Sequence, residues 1–322
     1  MQILLELEKV DVKGVKLFAP ASIANISCGF DVLGLCLESI GDLMEIRRSE
    51  RGGIHITSIK GQDLPLEAEK NVAGVSGLAM LKAHNPQLGF EIRMEKKIKP
   101  GSGIGSSAAS AAGTVAGINY LLGNPFTNKE LIPFAMEGER LACGSAHADN
   151  VAPALLGGFT LVRDTNPLDI CALPTPLELV ATVIHPKIEV KTADARAVLK
   201  KRVALEKAIS QWGNVGALVS SLYEEDYDLL SRSLIDCIVE PTRAILIPHF
   251  NELKAACKEA GALGSGISGS GPSVFALSKG MPVANKVAQA MQSVFEETNI
   301  PFDIHVSPVK KTGVSFIEDL LT

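Results

Sequence analysis

Apolar and polar residues alternate over 14–19 (GVKLFA), 42–48 (DLMEIRR), 54–59 and 89–95 (GFEIRME), which is the period-two pattern of half-buried strands. Between the first two lies PASIANISCGFDVLG, a mixture of helix and turn formers that predicts a loop. Helical spacing takes over at 71–83 (NVAGVSGLAMLKA), with Asn71 placed to cap the helix. A second helix is expected from Ser106 to Leu122, where Ala109, Gly113, Ala116 and Gly117 make a face narrow enough for another backbone to approach. A third helix over 128–142 is followed by the loop CGSAHADN and a strand, GGFTLV.

Pro and Asp gather in RDTNPLDICALPTP (163–176), which makes it the expected domain junction. Beyond it, ELVATVI (178–184) has the continuous apolar run of a buried strand. Helical patterns follow near 192–201, 203–221, 224–238 and 249–260, and then a glycine-rich segment, GALGSGISGSGPSVFAL, ends in a strand. A helix over 282–297 and strands near 302–307 and 312–316 close the chain. The elements are mixed without regular βα alternation, so the expected class is α+β in two domains, 1–168 and 169–322.

With 46% hydrophobic and 21% charged residues, the chain has the composition of a globular enzyme. A net charge of −5 with no basic run argues against nucleic-acid binding, and one Trp and three Tyr leave few platforms for stacking bases. The six cysteines (Cys28, Cys36, Cys143, Cys171, Cys237, Cys257) form no CxxC pair and have no His at metal spacing, so reduced thiols are expected. The opening residues, MQILLELEKVDVKG, are acidic and alternating, unlike a targeting peptide, and a cytoplasmic protein is expected. No charge occurs between Lys99 and Lys129, but that stretch is rich in Gly, Ser, Ala and Asn and bracketed by Pro100 and Pro125. It suits a helix buried in a globular domain better than one crossing a membrane.

Residues 99–113, KPGSGIGSSAASAAG, decide the chemistry. A linker would not merge into an alanine-rich helix. A packed small-residue helix explains the second half and leaves PGSGIGSS unexplained. Glycines there allow several backbone N–H groups to converge next to a helix N-terminus, a ready cradle for phosphate. The spacing is neither a Walker A loop nor a dinucleotide fingerprint, so further motifs are needed.

Three stretches together resemble the GHMP kinase family: APASIANISCGFDVLG, PGSGIGSSAAS, which is similar to its PxxxGLGSSAA phosphate loop, and GSGISGSGPSVFAL, similar to its C-terminal glycine motif. SxANxxxGFDxLG (Ser22 to Gly34), HADNVAPALLGGFTL, VEPTR and KTADAR resemble the branch of the family that phosphorylates homoserine. The resemblance implies a ribosomal S5 domain 2-like N-terminal domain, a ferredoxin-like C-terminal domain and a site between them. It further implies transfer of phosphate from ATP, with Mg2+, to the homoserine hydroxyl in threonine biosynthesis. A mevalonate-type small-molecule kinase is the alternative; a catalytically silent ligand sensor is a third reading, which expects a degraded loop or metal site. The partners implied are ATP and homoserine, with a homodimer as the expected assembly and no nucleic acid or membrane.

By the same resemblance, Pro100, Gly101, Ser102, Gly103, Ile104, Gly105, Ser106 and Ser107 hold the ATP phosphates and Asn71 contacts the nucleotide, although Asn71 is equally placed as a helix cap. Glu139 and Ser107 are the implied magnesium ligands, Glu137 and Ser106 being the neighbouring competitors. Arg196 and Arg243 match positions that clamp the substrate carboxylate, a task suited to planar guanidinium. Asn25 and Asp31 match the ammonium side, and Thr192 matches another substrate contact; turn and cap chemistry would account for the same residue types. Asn150 matches the residue at the substrate hydroxyl. An amide cannot take a proton, so Asn150 is expected to position the hydroxyl, with Asp149 the one adjacent group that could act as a base. His147, a lone loop histidine, is expected to be structural.

Overall fold

The computed structural model describes residues 12–144, 147–188, 190 and 192–321. The alternating segments form strands as expected: β1 (Gly14–Ala24), β2 (Leu33–Ser49), β3 (Gly53–Lys60) and, after helix α1 (Val72–His84), β4 (Gly89–Glu95). Helices α2 (Ser106–Leu121), α3 (Asn128–Cys143) and α4 (Val151–Leu156) follow, then β5 (Phe159–Thr165) and β6 (Leu168–Leu173). Among the described strands only β3 and β4 run parallel, because α1 forms the crossover between them. The narrow face of α2 lies against β1 and β2, and a Cβ on Gly113 would meet the Met44 sulfur at 2.4 Å.

The second half is built from β7 (Leu179–Pro186), α5 (Thr192–Ala197), α6 (Leu205–Glu224), α7 (Tyr227–Ser233), α8 (Glu240–Arg243), α9 (Phe250–Glu259), β8 (Gly264–Ile267), β9 (Val274–Lys279), α10 (Met281–Glu296), β10 (Phe302–Pro308) and β11 (Ser315–Leu320). Strands β10-β7-β9-β8 form an antiparallel sheet whose order is that of a ferredoxin-like domain. β11 instead returns to pair with β1, so the first sheet runs β11-β1-β2-β4-β3, with β5 beside β2 and β6 beside β5. Residues of β9 alternate between two cores. Phe275 and Leu277 join the large cluster with Leu17 and Ile46 of the first sheet, whereas Val274 and Ala276 face Met291 of α10 and Leu253 of α9.

Several elements differ from the sequence expectation. Residues 163–176 are no linker: Val162 to Thr165 pair with Leu168 to Ile170 as a hairpin, and the chain leaves the first sheet only between 174 and 178. β1 continues through Pro20 to Ala24, because a register shift between Pro20 and Ser22 accommodates a residue that cannot donate. The helix expected over 224–238 ends at Ser233, since the Asp236 carboxylate gathers the N–H groups of Ile238, Val239 and Glu240 into a turn. The glycine-rich 261–268 contains β8, and 151–156 forms a helix that periodicity did not reveal. The five cysteines whose side chains are described (Cys28, Cys36, Cys171, Cys237 and Cys257) are free, as expected, and no helix of the described residues is long and apolar enough to cross a membrane.

Candidate active site

A cavity of about 360 Å³ opens where the loop after β4, the β1–β2 loop and residues from α5 and α8 converge. Its floor is the loop ahead of α2. Gly103 and Gly105 have φ of 84° and 71°, a left-handed conformation that suits glycine. A Cβ on Gly103 would sit 2.7 Å from the carbonyl oxygens of Ser268 and Gly271, and one on Gly105 would sit 2.1 Å from Ser22 Oγ. The loop is thus wedged between the second sheet's glycine turn and β1. α2 starts at Ser106 with no side-chain cap, so its first N–H groups and its positive dipole end face the cavity.

Not every residue of this loop turns inward. Ser102 and Ile104 are buried and absent from the cavity wall; their carbonyls accept from Ser273 Oγ (2.6 Å) and the Ser22 N–H (3.2 Å). Their side chains are structural, so the expected contact of this loop with nucleotide falls to its backbone. Ser106 lines the wall but donates its hydroxyl to the Ile98 carbonyl at 2.8 Å, whereas Ser107 donates to Glu139. Asn71 borders the cavity while acting as the cap of α1, accepting from the Ala73 N–H (3.0 Å) and donating to the Pro65 carbonyl (2.7 Å).

Beneath the loop lies a buried ion pair that the sequence did not single out. Lys96 pairs with Asp42 and donates to the Ser106 carbonyl (2.9 Å) and Ser110 Oγ (2.8 Å), fixing the first turn of α2. Asp42 in turn accepts from the N–H groups of Lys97 (2.8 Å) and Ile98 (2.9 Å). Burial pushes the Lys96 ammonium's pKa down, against the pull of Asp42 and then Glu139. In sequence Lys96 sits in the charged run RMEKKIKP, where it looks like any solvated lysine.

Glu139, on α3, faces this cation across the wall. It is 4% exposed, and burial raises its carboxyl from 4.5 to about 7, opposed by the Ser107 hydroxyl and Lys96. Its Oε1 has no hydrogen-bond partner. A hard-oxygen pair of one hydroxyl and one carboxylate with a free oxygen, beside a phosphate cradle, fits a magnesium ion, which keeps waters and phosphate oxygens as its other ligands. Among the described residues no group of three or more His, Cys, Asp or Glu could hold a metal by itself. Glu137 is partly exposed and pairs with Arg140 instead.

The far end of the cavity is cationic. In the β1–β2 loop, Asn25, Ile26, Ser27 and Asp31 all have positive φ (75°, 42°, 55° and 61°), a concentration of left-handed non-glycine residues typical of functional sites. Asn25 locks the loop by accepting from the Asp31 N–H (3.0 Å) and donating to the Gly269 carbonyl (2.7 Å). Arg243 donates to the Ala195 carbonyl (2.8 Å) and to Gly269 (3.3 Å), and its guanidinium lies 4.9 Å from the centre of the Phe30 ring. Arg196 binds the Asp31 carboxylate through one nitrogen at 2.9 and 3.1 Å, and the same nitrogen meets His147 Nε2 at 2.9 Å. Burial lowers the His147 pKa, and its Nε2 accepts from Arg196 at the cavity wall. Thr192 begins α5, and its side chain lies outside the described residues.

Asn150 and Asp149 stand between the two ends. Asn150 Oδ1 accepts from Ser22 Oγ at 2.9 Å, which leaves its amide N–H groups for a ligand. Asp149 is buried, its Oδ1 has no partner, and burial followed by the fields of Asp31 and Glu139 raises it from 3.8 to about 7. One cleft therefore joins an anion cradle, an oxygen site for a cation and paired guanidiniums. Such an arrangement can hold a polyphosphate at one end and a carboxylate at the other.

Comparison with known proteins agrees with that geometry. The description "GHMP kinases N terminal domain" matches residues 70–158, and "GHMP kinases C terminal" matches 204–297. A homoserine kinase of Chlorobium phaeobacteroides (strain BS1) is 47% identical over 320 residues, covering 95% of this chain and all of the relative. That of Chloroherpeton thalassium is 47% identical over 315 residues, covering 94% of this chain and 99% of the relative. A crystal structure of homoserine kinase from Cytophaga hutchinsonii ATCC 33406 superposes with a TM-score of 0.91 at 53% identity, covering 95% of this chain and 98% of the other.

Proposed function

The chain belongs to the GHMP kinase family and, within it, to the homoserine kinases, and we propose that its cleft transfers the γ-phosphoryl group of ATP directly to the hydroxyl of L-homoserine, a step of threonine biosynthesis. The observation that carries the substrate assignment is the pair Arg196 and Arg243 facing the same cavity as the glycine loop. A carboxylate entering there meets two guanidiniums, and Asp31 offers the counter-charge for an ammonium group. The mevalonate-type alternative has no ammonium for Asp31 to receive.

Phosphates lie along the glycine loop of 101–107 and the start of α2, whose dipole favours negative charge. Ser107 and Glu139 hold magnesium, which when bound neutralises charge on the phosphates. Asn150, braced by Ser22, donates to the attacking oxygen and keeps it in line. Phosphoryl transfer through a loose transition state depends mainly on position and charge, so no strong base is required.

A second reading makes Asp149 the proton acceptor, on the strength of its unpartnered oxygen in the cavity wall. Asp149→Asn separates the two. Positioning alone leaves kcat within about 10-fold of the parent, whereas loss of a general base costs about 100-fold or more. For the reaction itself, ADP release is followed with ATP, magnesium and homoserine, serine or mevalonate in turn. Turnover is expected with homoserine and not with mevalonate; the reverse order would overturn the assignment. We take the working form as a homodimer, since α6 displays Leu205, Ile209, Trp212 and Tyr223 to solvent.

A further inference from the structure

His185, near the end of β7, is a buried titratable group outside the cavity wall. It is 4% exposed, and its Nε2 has no hydrogen-bond partner. A bare ring nitrogen in a core carries a desolvation cost that an apolar side chain would avoid. The other nitrogen accounts for its presence. Ile184 pairs with Val274, so His185 comes level with Ser273, the residue before β9. Val183 and Phe275, two residues along each strand, lie in the cluster shared by the two sheets, and alternation puts His185 and Ser273 on that same face. There His185 Nδ1 lies 3.2 Å from Ser273 Oγ, which in turn is 2.6 Å from the Ser102 carbonyl oxygen of the glycine loop.

The chemistry of the three groups places the protons. A carbonyl only accepts, so the single Ser273 hydroxyl proton points at Ser102. Towards His185 the same oxygen then accepts, and Nδ1 carries a hydrogen. Burial, and then the Lys99 charge, push the ring down to about 4, so it is neutral and Nε2 is bare, in keeping with its lack of a partner. We propose that His185 is a positioning residue for ATP: as the Nδ1–H tautomer it aims the Ser273 hydroxyl at the Ser102 carbonyl and so sets the loop that receives the phosphates. The proposal rests on reading 101–107 as the phosphate loop. That stretch has little local hold, since the buried Ser102 hydroxyl has no partner and Gly101 and Gly103 beside it take left-handed φ of 74° and 84°. A hydroxyl that accepts from the ring also donates more strongly, so the second sheet grips the loop through a polarised chain.

Two substitutions separate the nitrogens. His185→Asn keeps an amide N–H near the place of Nδ1 and removes the unpartnered half of the ring. His185→Gln carries its amide to the place of Nε2 and leaves Ser273 without a donor. Calorimetric titration of the full chain with magnesium and ATP requires no turnover, so its failure and that of the assigned reaction are told apart. His185→Gln is expected to bind ATP about 10-fold more weakly than the parent, and His185→Asn within about 3-fold of it. Homoserine affinity should stay within about 2-fold in both, as a role confined to the phosphate loop requires. Nitrogen-15 NMR of the parent at neutral pH should show a histidine with Nδ1 protonated and Nε2 bare, its signals absent from both variants. Those signals test the proposal even where His185→Gln fails to fold. Three results would overturn it. They are a ring protonated at Nε2, an ATP affinity that the two variants change equally, and an equal loss of ATP and homoserine binding in His185→Gln.

Discussion

Arg243 is held by two carbonyls and a ring, so its remaining donors are fixed in direction before any ligand arrives. Lysine keeps the charge and loses the planar fork, so Arg243→Lys is expected to raise KM for homoserine about 10- to 100-fold while KM for ATP changes less than about two-fold. Steady-state kinetics with each substrate varied in turn checks it. At the acidic end, Glu139 and Asp149 bind protons more tightly folded than unfolded. Their contribution is therefore neutral at acid pH and destabilising as pH rises from about 4 through 7, by up to roughly 3 kcal/mol for Glu139 and about 4 kcal/mol for Asp149. Glu139→Gln with Asp149→Asn should melt progressively higher than the parent as pH goes from 5 to 7.5, and should lose magnesium-dependent turnover; a melting difference that is flat across that range would contradict the shifts. At this scale the sequence was informative where a residue type is rare for its place. Glu139, Arg243 and Asp31 stood in recognisable motifs, whereas Lys96 was hidden in a charged run because only the fold brings Asp42 to it.

The loop before α2 works as one element with the glycine turn of the second sheet. Its carbonyls at Ser102 and Gly103 accept from Ser273 and Ser268, at 2.6 and 2.7 Å. Gly103→Ala should therefore cost both the left-handed penalty, about 1–2 kcal/mol, and a displacement of that turn. Gly101→Ala carries the first cost without the second, because its Cβ would meet nothing within 4 Å. Thermal melting should rank Gly103→Ala well below Gly101→Ala, and KM for ATP should rise more for the former. Long periodic elements such as α2, α3 and α10 were legible from spacing alone. The β5–β6 hairpin was not, since its Pro and Asp residues resemble those of a linker until the strands pair. β8 was missed for a related reason: in GSGI only the pairing with β9 distinguishes strand from turn.

The two sheets share one large hydrophobic cluster running from Leu17 and Ile46 to Val183 and Phe275, and β11 closes the first sheet from the far end of the chain. Calorimetry should accordingly show a single cooperative transition, and residues 1–176 alone should fail to give a folded domain, because they lack β11 and half of that core. An independently melting N-terminal fragment would contradict this view of the interface. The α+β class was legible from the mixed order of elements, and the cleft between two domains from the resemblance that three motifs carry; the return of β11 was not, since alternation marks a strand without naming its neighbour. Phosphorus NMR of the protein with ATP, magnesium and homoserine tests the central claim most directly. A phosphomonoester signal growing in step with ADP is the expected result. Release of inorganic phosphate instead, or no change in ATP, would contradict it.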